Sequence, residues 1–255
     1  MDDAPSTLGY NCNGLNRSCQ SFLIYRTQPY YNTISLIASL LSANASQISA
    51  INNNTSGNMT LETNHEVIVP VMCSCTGMFY QANTTHVVQA TENYYLIVND
   101  IFQGLTTCNA IRDQKSVINL TINESLTIPL RCACPSWIQV DDGILYLMTV
   151  VVQEDNSTIA DIANKYGADV RQTLIANGLS PQASDTQPST TLLIPLKNLT
   201  YFSKTNYIKN DKKSSQVLVT GVPIIIAILL LIVGACFCLY RHKGTKGSPG
   251  SLASF

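Results

Sequence analysis

Three short apolar runs divide the chain at nearly regular intervals. Each is rich in branched residues and carries a proline near its end, and they occupy residues 67–71, 126–130 and 192–196. A proline cannot donate to a strand ladder, so this pattern is typical of the edge or final residue of a strand. Because the runs are spaced by roughly sixty residues, they indicate an internal repeat. The chain is therefore predicted to contain three small, similar modules.

The segment before the third run shows most clearly what one module contains. Residues 146–152 predict a strand, and residues 154–157 predict a turn with a helix N-cap. A second helix over 170–176 precedes the closing strand, so the order is strand, helix, helix, strand. The first helix is predicted from apolar residues at helical spacing and a terminating glycine, namely Ile159, Ile162, Ala163, Tyr166 and Gly167.

The first two modules are predicted to repeat this order. Residues 1–20 read as irregular, and Pro135 with Ser136 reads as a linker. The predicted elements of the first module are a strand at 22–26, a helix from Ile34 through Leu41 and a helix at 46–51; those of the second are a strand at 86–89 and helices at 94–102 and 106–113.

Residues 217–240 form an uninterrupted apolar run without charge, slightly longer than the roughly 20 residues that cross a bilayer core. We predict a single membrane-spanning helix there, in which Pro223 is tolerated near the outer end. Lysines flank the run on both sides, so charge does not decide its orientation. Residues 1–5 have no apolar core, so we expect that a signal peptide was removed or that the start is engineered.

Seven cysteines precede residue 140: Cys12, Cys19, Cys73, Cys75, Cys108, Cys132 and Cys134. Paired cysteines in small modules with little core indicate disulfides and an oxidising compartment. The alternative is a zinc site, which requires four closed ligands, and His65 and His86 are not placed to complete one. We therefore expect no metal site. Cys236 and Cys238 lie inside the apolar run, where buried thiols are favoured over acylation.

Sequons for N-glycosylation agree with an extracellular location. None occurs after Asn198, which fits glycosylation on one side of a membrane only. The candidates are Asn16, Asn44, Asn53, Asn54, Asn58, Asn83, Asn119, Asn123, Asn156 and Asn198. The net charge of −1 and a pI near 6.3 give no reason to expect a nucleic-acid partner, and no cofactor is expected.

The third module resembles a LysM domain, through residues 152–160, Tyr166-Gly167, Leu174, Asn177 and Ile194-Pro195-Leu196. Three such modules separated by Cys-x-Cys pairs and followed by one span resemble the ectodomains of plant LysM receptor-like kinases. The opening segment 19–29 is most similar to the branch of chitin and Nod-factor co-receptors with inactive kinase domains. The resemblance covers roughly residues 10–240. It implies an α+β fold of three tandem βααβ LysM modules, cross-linked by disulfides and followed by a transmembrane helix.

By this resemblance the disulfides are Cys12–Cys75, Cys19–Cys134 and Cys73–Cys132, whereas the sequence alone allows fifteen pairings of six cysteines. Cys108 is left over, and we expect it to be buried in the second helix of the second module. The predicted divisions are an N-terminal segment 1–21, LysM modules at 22–75, 84–134 and 145–197, an extracellular stalk 198–216, the span 217–240 and a cytoplasmic tail 241–255.

Two features depart from the family pattern. No kinase domain follows the span within these 255 residues, which indicates either a fragment or a receptor without a kinase. The asparagine that usually ends the second LysM helix is Asn177 in the third module, but we place Lys115 at that position in the second.

LysM modules resemble one another in binding N-acetylglucosamine chains in a shallow groove between the first strand–helix turn and the loop before the last strand. We expect the second module to bind, because sequons at Asn53, Asn54 and Asn156 lie in the corresponding loops of the other two. Only Asn119 lies at its own rim. Its predicted walls are Ala90, Thr91, Glu92, Asn93 and Tyr94 on one side and Gln114, Lys115, Ser116, Val117, Ile118 and Asn119 on the other.

The resemblance implies a single-pass plasma-membrane receptor or co-receptor for chitin-type oligosaccharides that signals in plant immunity through a partner with an active LysM receptor kinase. Alternatives are a lipochitooligosaccharide co-receptor in symbiosis and an adhesion or scaffold protein that binds no sugar. An enzyme is not expected. Glycoside hydrolysis needs two facing carboxylates, and the candidates Glu92 and Asp113 fall where solvated cap residues are expected.

Overall fold

The computed structural model describes residues 7–53, 59–114, 119–153 and 158–199. The predicted stalk, span and tail lie outside these ranges, as do Cys236 and Cys238. Within the described ranges, no helix has both the length and the apolar character needed to cross a bilayer. The membrane helix at 217–240 therefore stays a prediction.

The described elements follow the predicted order of three strand–helix–helix–strand units. The strands are β1 (Tyr10–Asn11), β2 (Ser18–Arg26), β3 (Glu66–Thr76), β4 (Phe79–Val87), β5 (Ser125–Arg131), β6 (Tyr146–Val151) and β7 (Thr191–Leu196). The helices are α1 (Ile34–Leu40), α2 (Ala45–Ile51), the π-helix Leu96–Ile101, α3 (Cys108–Asp113), α4 (Trp137–Asp141), α5 (Ile159–Lys165) and α6 (Val170–Ala176).

Several strand starts differ from the prediction. The segment expected to be irregular contains β1, and β2 begins at Ser18 rather than residue 22 because Ser18 already pairs with Ser74 of β3. β4 begins at Phe79 rather than residue 86, because a tight turn at Gly77 (φ +62°) folds it back onto β3. Polar residues on the buried face, such as Thr84, concealed this strand in the hydrophobic pattern.

Two helices also differ. The predicted linker at Pro135–Ser136 leads directly into α4, whose capping box pairs the Ser136 backbone N–H with Gln139 Oε1 (2.8 Å) and the Gln139 N–H with Ser136 Oγ (3.3 Å). The first helix of the second module is a π-helix, whereas the equivalent helices α1 and α5 are α-helical. The spacing of apolar residues in the sequence does not distinguish a π-helix from an α-helix of this length.

One sheet joins the modules. Within each module the first and last strands pair antiparallel: β2 with β3, β4 with β5 and β6 with β7. β3 continues into β4 by the tight turn, which connects modules one and two. β2 pairs in parallel with β6 at Phe22↔Met148 and Leu23↔Thr149, which connects modules one and three.

Three disulfides connect the first two modules and the N-terminal segment. Cys12 is bonded to Cys75, Cys19 to Cys134 and Cys73 to Cys132, the same pairing that the family resemblance implies. Cys19 and Cys73 lie directly opposite each other on β2 and β3. The Cys-x-Cys segment after β5 is therefore bonded to both strands of the first module at directly opposite positions, through Cys134 to Cys19 and through Cys132 to Cys73.

β2 is buried on both faces and divides the interior into two cores. Leu23 and Tyr25 pack into a core shared by modules one and two, while Phe22 and Ile24 pack into the core of module three. Successive side chains of a strand point to opposite faces, so this division follows from the period of two. All four are at most 3 % exposed.

An asparagine amide ties the second helix to the last strand in two of the modules. In module three, Asn177 Nδ2 donates to the carbonyls of Thr173 (2.7 Å) and Leu193 (2.8 Å), and the Leu193 N–H donates to Asn177 Oδ1 (2.8 Å). In module one, Asn52 makes the same bonds to Ile48 and Ile68. The asparagine side chain thus pairs with both the N–H and the carbonyl of one residue in the last strand, which the helix backbone does not do.

The second module has a different residue at this position. Asn52 and Asn177 directly follow α2 and α6, and the residue that directly follows α3 is Gln114. Counted from the N-caps Asn44, Asp169 and Thr107, however, Asn52 and Asn177 each lie eight residues on, and the eighth residue after Thr107 is Lys115. The assignment of Lys115 to this place therefore stays a prediction. Lys115 itself lies outside the described residues.

We predict that Asn177→Ala destabilises the protein by about 1–3 kcal/mol, because it leaves buried backbone groups without partners. Asn177 is only 4 % exposed. Chemical denaturation would measure the change, with Asn13→Ala, which removes an exposed amide, as the control. Equal stability of the two variants would contradict the structural role of the Asn177 amide.

Candidate functional site

A carboxylate clamp fixes the turn between β4 and the π-helix. Glu92 Oε2 lies 2.7 Å from His86 Nε2 and accepts a hydrogen bond of 2.9 Å from the Gln89 backbone N–H. The side chains of His86 and Glu92 are only 10 % and 12 % exposed, and the imidazole packs edge-on against Phe102. Glu92 is therefore not the solvated cap residue that we expected. It holds the strand end and the turn together.

The residues that follow fix the start of the π-helix. Asn93 Oδ1 accepts a hydrogen bond from the Leu96 N–H (3.0 Å), as a helix cap does. The Tyr94 ring lies 5.1 Å from the guanidinium carbon of Arg112, and the Tyr94 carbonyl is 3.9 Å from Cys108 Sγ. These contacts connect the turn to α3, on which the opposite wall of the predicted groove begins.

The structure describes one wall of the predicted groove fully and the ends of the other. Ala90, Thr91 and Asn93 are exposed, and Tyr94 is half-buried. Gln114 is exposed at the end of α3, and Asn119 is exposed where the description resumes. The remaining wall residues, Lys115, Ser116, Val117 and Ile118, lie outside the described residues.

Cys108 is not buried as expected. It is the first residue of α3 and is half-exposed, while Ala110 and Ile111 take the inward positions of that helix. The helix was predicted to begin at residue 106, which placed Cys108 inside its first turn, whereas α3 begins at Cys108 itself.

The sequon asparagines that the structure describes all have exposed side chains: Asn16, Asn44, Asn53, Asn83, Asn119, Asn123 and Asn198. Asn44 also caps α2, since its Oδ1 accepts a hydrogen bond from the Gln47 N–H (3.1 Å). A glycan attaches through the amide nitrogen, so it is compatible with this cap. Asn54, Asn58 and Asn156 lie outside the described residues.

The structure also contains a cleft that sequence reasoning missed. A space of about 570 Å³ is lined by residues of all three modules, among them Arg26, Asn64, Asp100 and Gln153. These residues are far apart in the chain and belong to no motif. They meet through the pairing of β2 with β6 and through the bonds of Gln103 to the Arg26 backbone.

An ionic cluster lies beside this cleft, between modules one and three. Glu66 Oε1 is 2.6 Å from Arg26 Nη2 and 2.7 Å from Lys165 Nζ. Burial raises the pKa of Glu66, but the hydrogen bond and charge of Lys165 and the charge of Arg26 outweigh it and lower that pKa overall. Burial, reinforced by the nearby Glu66 charge, raises the pKa of Tyr166, so its hydroxyl stays protonated.

Sequence models of three LysM families match the chain in order. The NFP/LYK LysM1 domain matches residues 18–76, the LYK3/4/5 LysM2 domain residues 79–131 and the LYK4/5 LysM3 domain residues 146–196. The second match begins at the observed start of β4 and not at the predicted module boundary of residue 84.

Two curated proteins of Arabidopsis thaliana are similar in sequence. Protein LYK5 is 38 % identical over 176 residues, which is 65 % of this chain and 26 % of LYK5. LysM domain-containing GPI-anchored protein 2 is 27 % identical over 185 residues, which is 69 % of this chain and 51 % of that protein. The chain thus spans about a quarter and about half of the length of these relatives.

Solved structures show the same fold. The ectodomain of a receptor-like kinase superposes with a TM-score of 0.62 at 19 % identity, covering 72 % of this chain and 96 % of that one. The LYK3 ectodomain gives a TM-score of 0.60 at 19 % identity, covering 71 % and 91 %.

Three linked βααβ modules with these matches define a tandem LysM protein. More specifically, the chain belongs to the LysM receptor-like kinase family, and its described part is a three-LysM ectodomain.

We predict that Glu92→Gln loosens the turn in the second module, because the neutral amide loses the charge-assisted bonds to His86 and Gln89. Hydrogen bonds to a charged group contribute about 1.5–3 kcal/mol. Hydrogen exchange of the Gln89 amide should accelerate by at least about tenfold, which corresponds to about 1.4 kcal/mol. The control is Asp113→Asn at the exposed end of α3. Unchanged exchange in Glu92→Gln would show that the carboxylate does not hold the turn.

We also predict an acid-sensitive contact between modules one and three. Because the pKa of Glu66 is lowered by folding, its contribution to stability is present at neutral pH and is lost as the pH falls through that lowered value, below 4.5. The unfolding midpoint of the wild type should therefore fall more steeply below pH 4.5 than that of Glu66→Gln. Parallel curves would contradict this assignment.

Proposed function

We propose that this chain is the extracellular and anchoring part of a plasma-membrane receptor or co-receptor for chitin-type N-acetylglucosamine oligosaccharides. The family membership supports a receptor role, and the resemblance described above implies the ligand class. The sugar chain binds in the groove of the second module. The remaining steps of the proposal concern how that groove recognises it and how binding is transmitted.

The clamped turn of the second module is the observation that carries this proposal. Acetamide and hydroxyl groups of a sugar can pair with backbone N–H and C=O groups when those are held in fixed positions. Glu92 fixes the turn from behind, and Asn93 fixes its junction with the π-helix. Because the turn is already held in one conformation, little conformational entropy is lost there when a ligand binds.

The proposed contact residues are the predicted walls, with one change of role. Glu92 acts as a positioning residue, because its carboxylate is already bonded to His86 and Gln89. The proposed contacts are Ala90, Thr91, Asn93 and Tyr94 with Gln114, Lys115, Ser116, Val117, Ile118 and Asn119. The choice of this module rests on the sequons in the corresponding loops of the other two, at Asn53, Asn54 and Asn156.

Signalling in this proposal depends on a second protein. The chain would be anchored by a single helix at 217–240 with its LysM modules outside, and a LysM receptor with an active kinase would carry the signal inward. The LysM part is proposed to bind sugar and not to hydrolyse it, because Glu92 is paired within its own turn whereas Asp113 is exposed at the end of α3.

The test is calorimetry of the full chain in nanodiscs with N-acetylglucosamine oligomers of increasing length and with an acylated oligomer. We predict that Thr91→Trp, which adds bulk to the exposed turn, weakens binding by at least about tenfold, or about 1.4 kcal/mol. Thr76→Trp, an exposed position at the β3–β4 turn, is the matched control.

Each outcome separates the candidates. A binding site that is lost in Thr91→Trp and retained in Thr76→Trp supports the groove. A strong preference for the acylated oligomer favours the lipochitooligosaccharide co-receptor. Absence of heat with every oligomer overturns the proposal and favours an adhesion or scaffold protein.

A further inference from the structure

The cleft between the three modules is a built feature of the fold. One wall comes from the end of β2 and the segment before β3, the second from the end of the π-helix, and the third from residues 151–153 and 189 of module three. The pairing of β2 with β6 holds the first and third walls together. Two walls of the cleft are therefore held in place by strand pairing, as the walls of small-molecule sites usually are by their fold.

Side chains of modules one and two connect the second wall to the first. Gln103 makes two bonds to the backbone of Arg26: its Oε1 accepts from the N–H (3.0 Å) and its Nε2 donates to the carbonyl (2.6 Å). The Tyr25 hydroxyl donates to the Ile101 carbonyl (3.1 Å), and the Gln28 amide donates to the Asp100 carbonyl.

Gly104 brings the second wall close to module three. Its φ is +82°, and a Cβ there would lie 3.2 Å from Val151 Cγ1. A larger residue would be strained and would push the walls apart. The walls are thus held by side-chain bonds to the backbone, and the amides of Gln28 and Gln103, which line the cleft, are used in them. The side chains of Thr63, Asn99, Gln153 and Ser189 take no part in these bonds.

The lining carries two charged side chains, Arg26 and Asp100, while its other polar groups are uncharged, and about half of its surface is apolar. Thr63, Asn99, Gln153 and Ser189 contribute hydroxyl and amide groups, and Pro29, Val151 and Val152 contribute the apolar part. The charge of Arg26 is compensated by Glu66 at 2.6 Å. Such a lining matches the alternating hydroxyl, acetamide and C–H surfaces of a neutral amino sugar better than a charged ligand.

From these observations we propose that the cleft is a second binding site for a short stretch of a neutral N-acetylated amino-sugar chain, distinct from the groove of module two. This inference rests on the proposed function, since it assigns the same ligand class to a further site. The volume of about 570 Å³ falls within the range of about 300–1,000 Å³ typical of small-ligand sites.

The π-helix relates the two sites. Asn93 caps its first turn beside the groove, whereas Asn99 and Asp100 near its other end line the cleft. The helix is only six residues long, so its two ends lie close together. A change at one site is therefore placed to affect the other through one short rigid element.

The experiment measures how many short N-acetylglucosamine oligomers bind per chain, using the full chain in nanodiscs. Gln153→Trp fills the cleft from an exposed position of module three, and Thr63→Trp fills it from module one. Gln20→Trp, an exposed position at the opposite end of β2, is the matched control. Thr91→Trp blocks the groove independently.

Two oligomers per wild-type chain are expected, with one in Gln153→Trp, one in Thr63→Trp, one in Thr91→Trp and two in Gln20→Trp. A single wild-type site that is abolished by Thr91→Trp and unaffected by either cleft variant overturns this inference and leaves the proposed function standing. A single site abolished only by the cleft variants supports the cleft and overturns the groove. Absence of binding in the wild type overturns both.

Discussion

Strand β2 belongs to two cores at once, and the arrangement of the modules depends on it. Its alternating side chains pack Leu23 and Tyr25 against modules one and two and Phe22 and Ile24 against module three. Cys19 near its start is bonded to the segment that follows module two. A small βααβ unit buries little surface alone, so sharing one strand gives each module more interior than it could build by itself.

The repeat, its element order and the apolar closing strands could be predicted from the sequence, because these features depend on local pattern and spacing. The start of β4 could not, since Thr84 is a buried polar residue whose partner, the Leu40 carbonyl, is distant in the chain. The π-helix was missed for a similar reason: its length and position resemble an α-helix in the pattern. Helix α4 had a sequence signal in Ser136 and Gln139, but the proline before them favoured a linker.

In the candidate site, too, some features could be predicted from the sequence and others depend on contacts that the sequence does not show. Family resemblance places the groove walls, yet it does not show that Glu92 faces inward, because that depends on His86 at the end of β4. The cleft depends on residues from three modules and on Gln103, whose amide imitates a strand partner for Arg26. No spacing rule connects residues separated in this way. The turn that forms a groove wall could therefore be located from the sequence, whereas the cleft between the modules could not.

The disulfides are distributed unevenly, and this has a mechanical consequence. Within the ranges that the structure describes, the three disulfides lie at the junction of modules one and two, and residues 145–199 contain no cysteine. Module three is joined to the rest by hydrogen bonds, packing and the Glu66 ionic contacts. Tension applied to the chain beyond residue 199 reaches β7 first and would peel it from β6, while the covalently linked pair resists extension. Under load, module three is the compliant joint of the assembly.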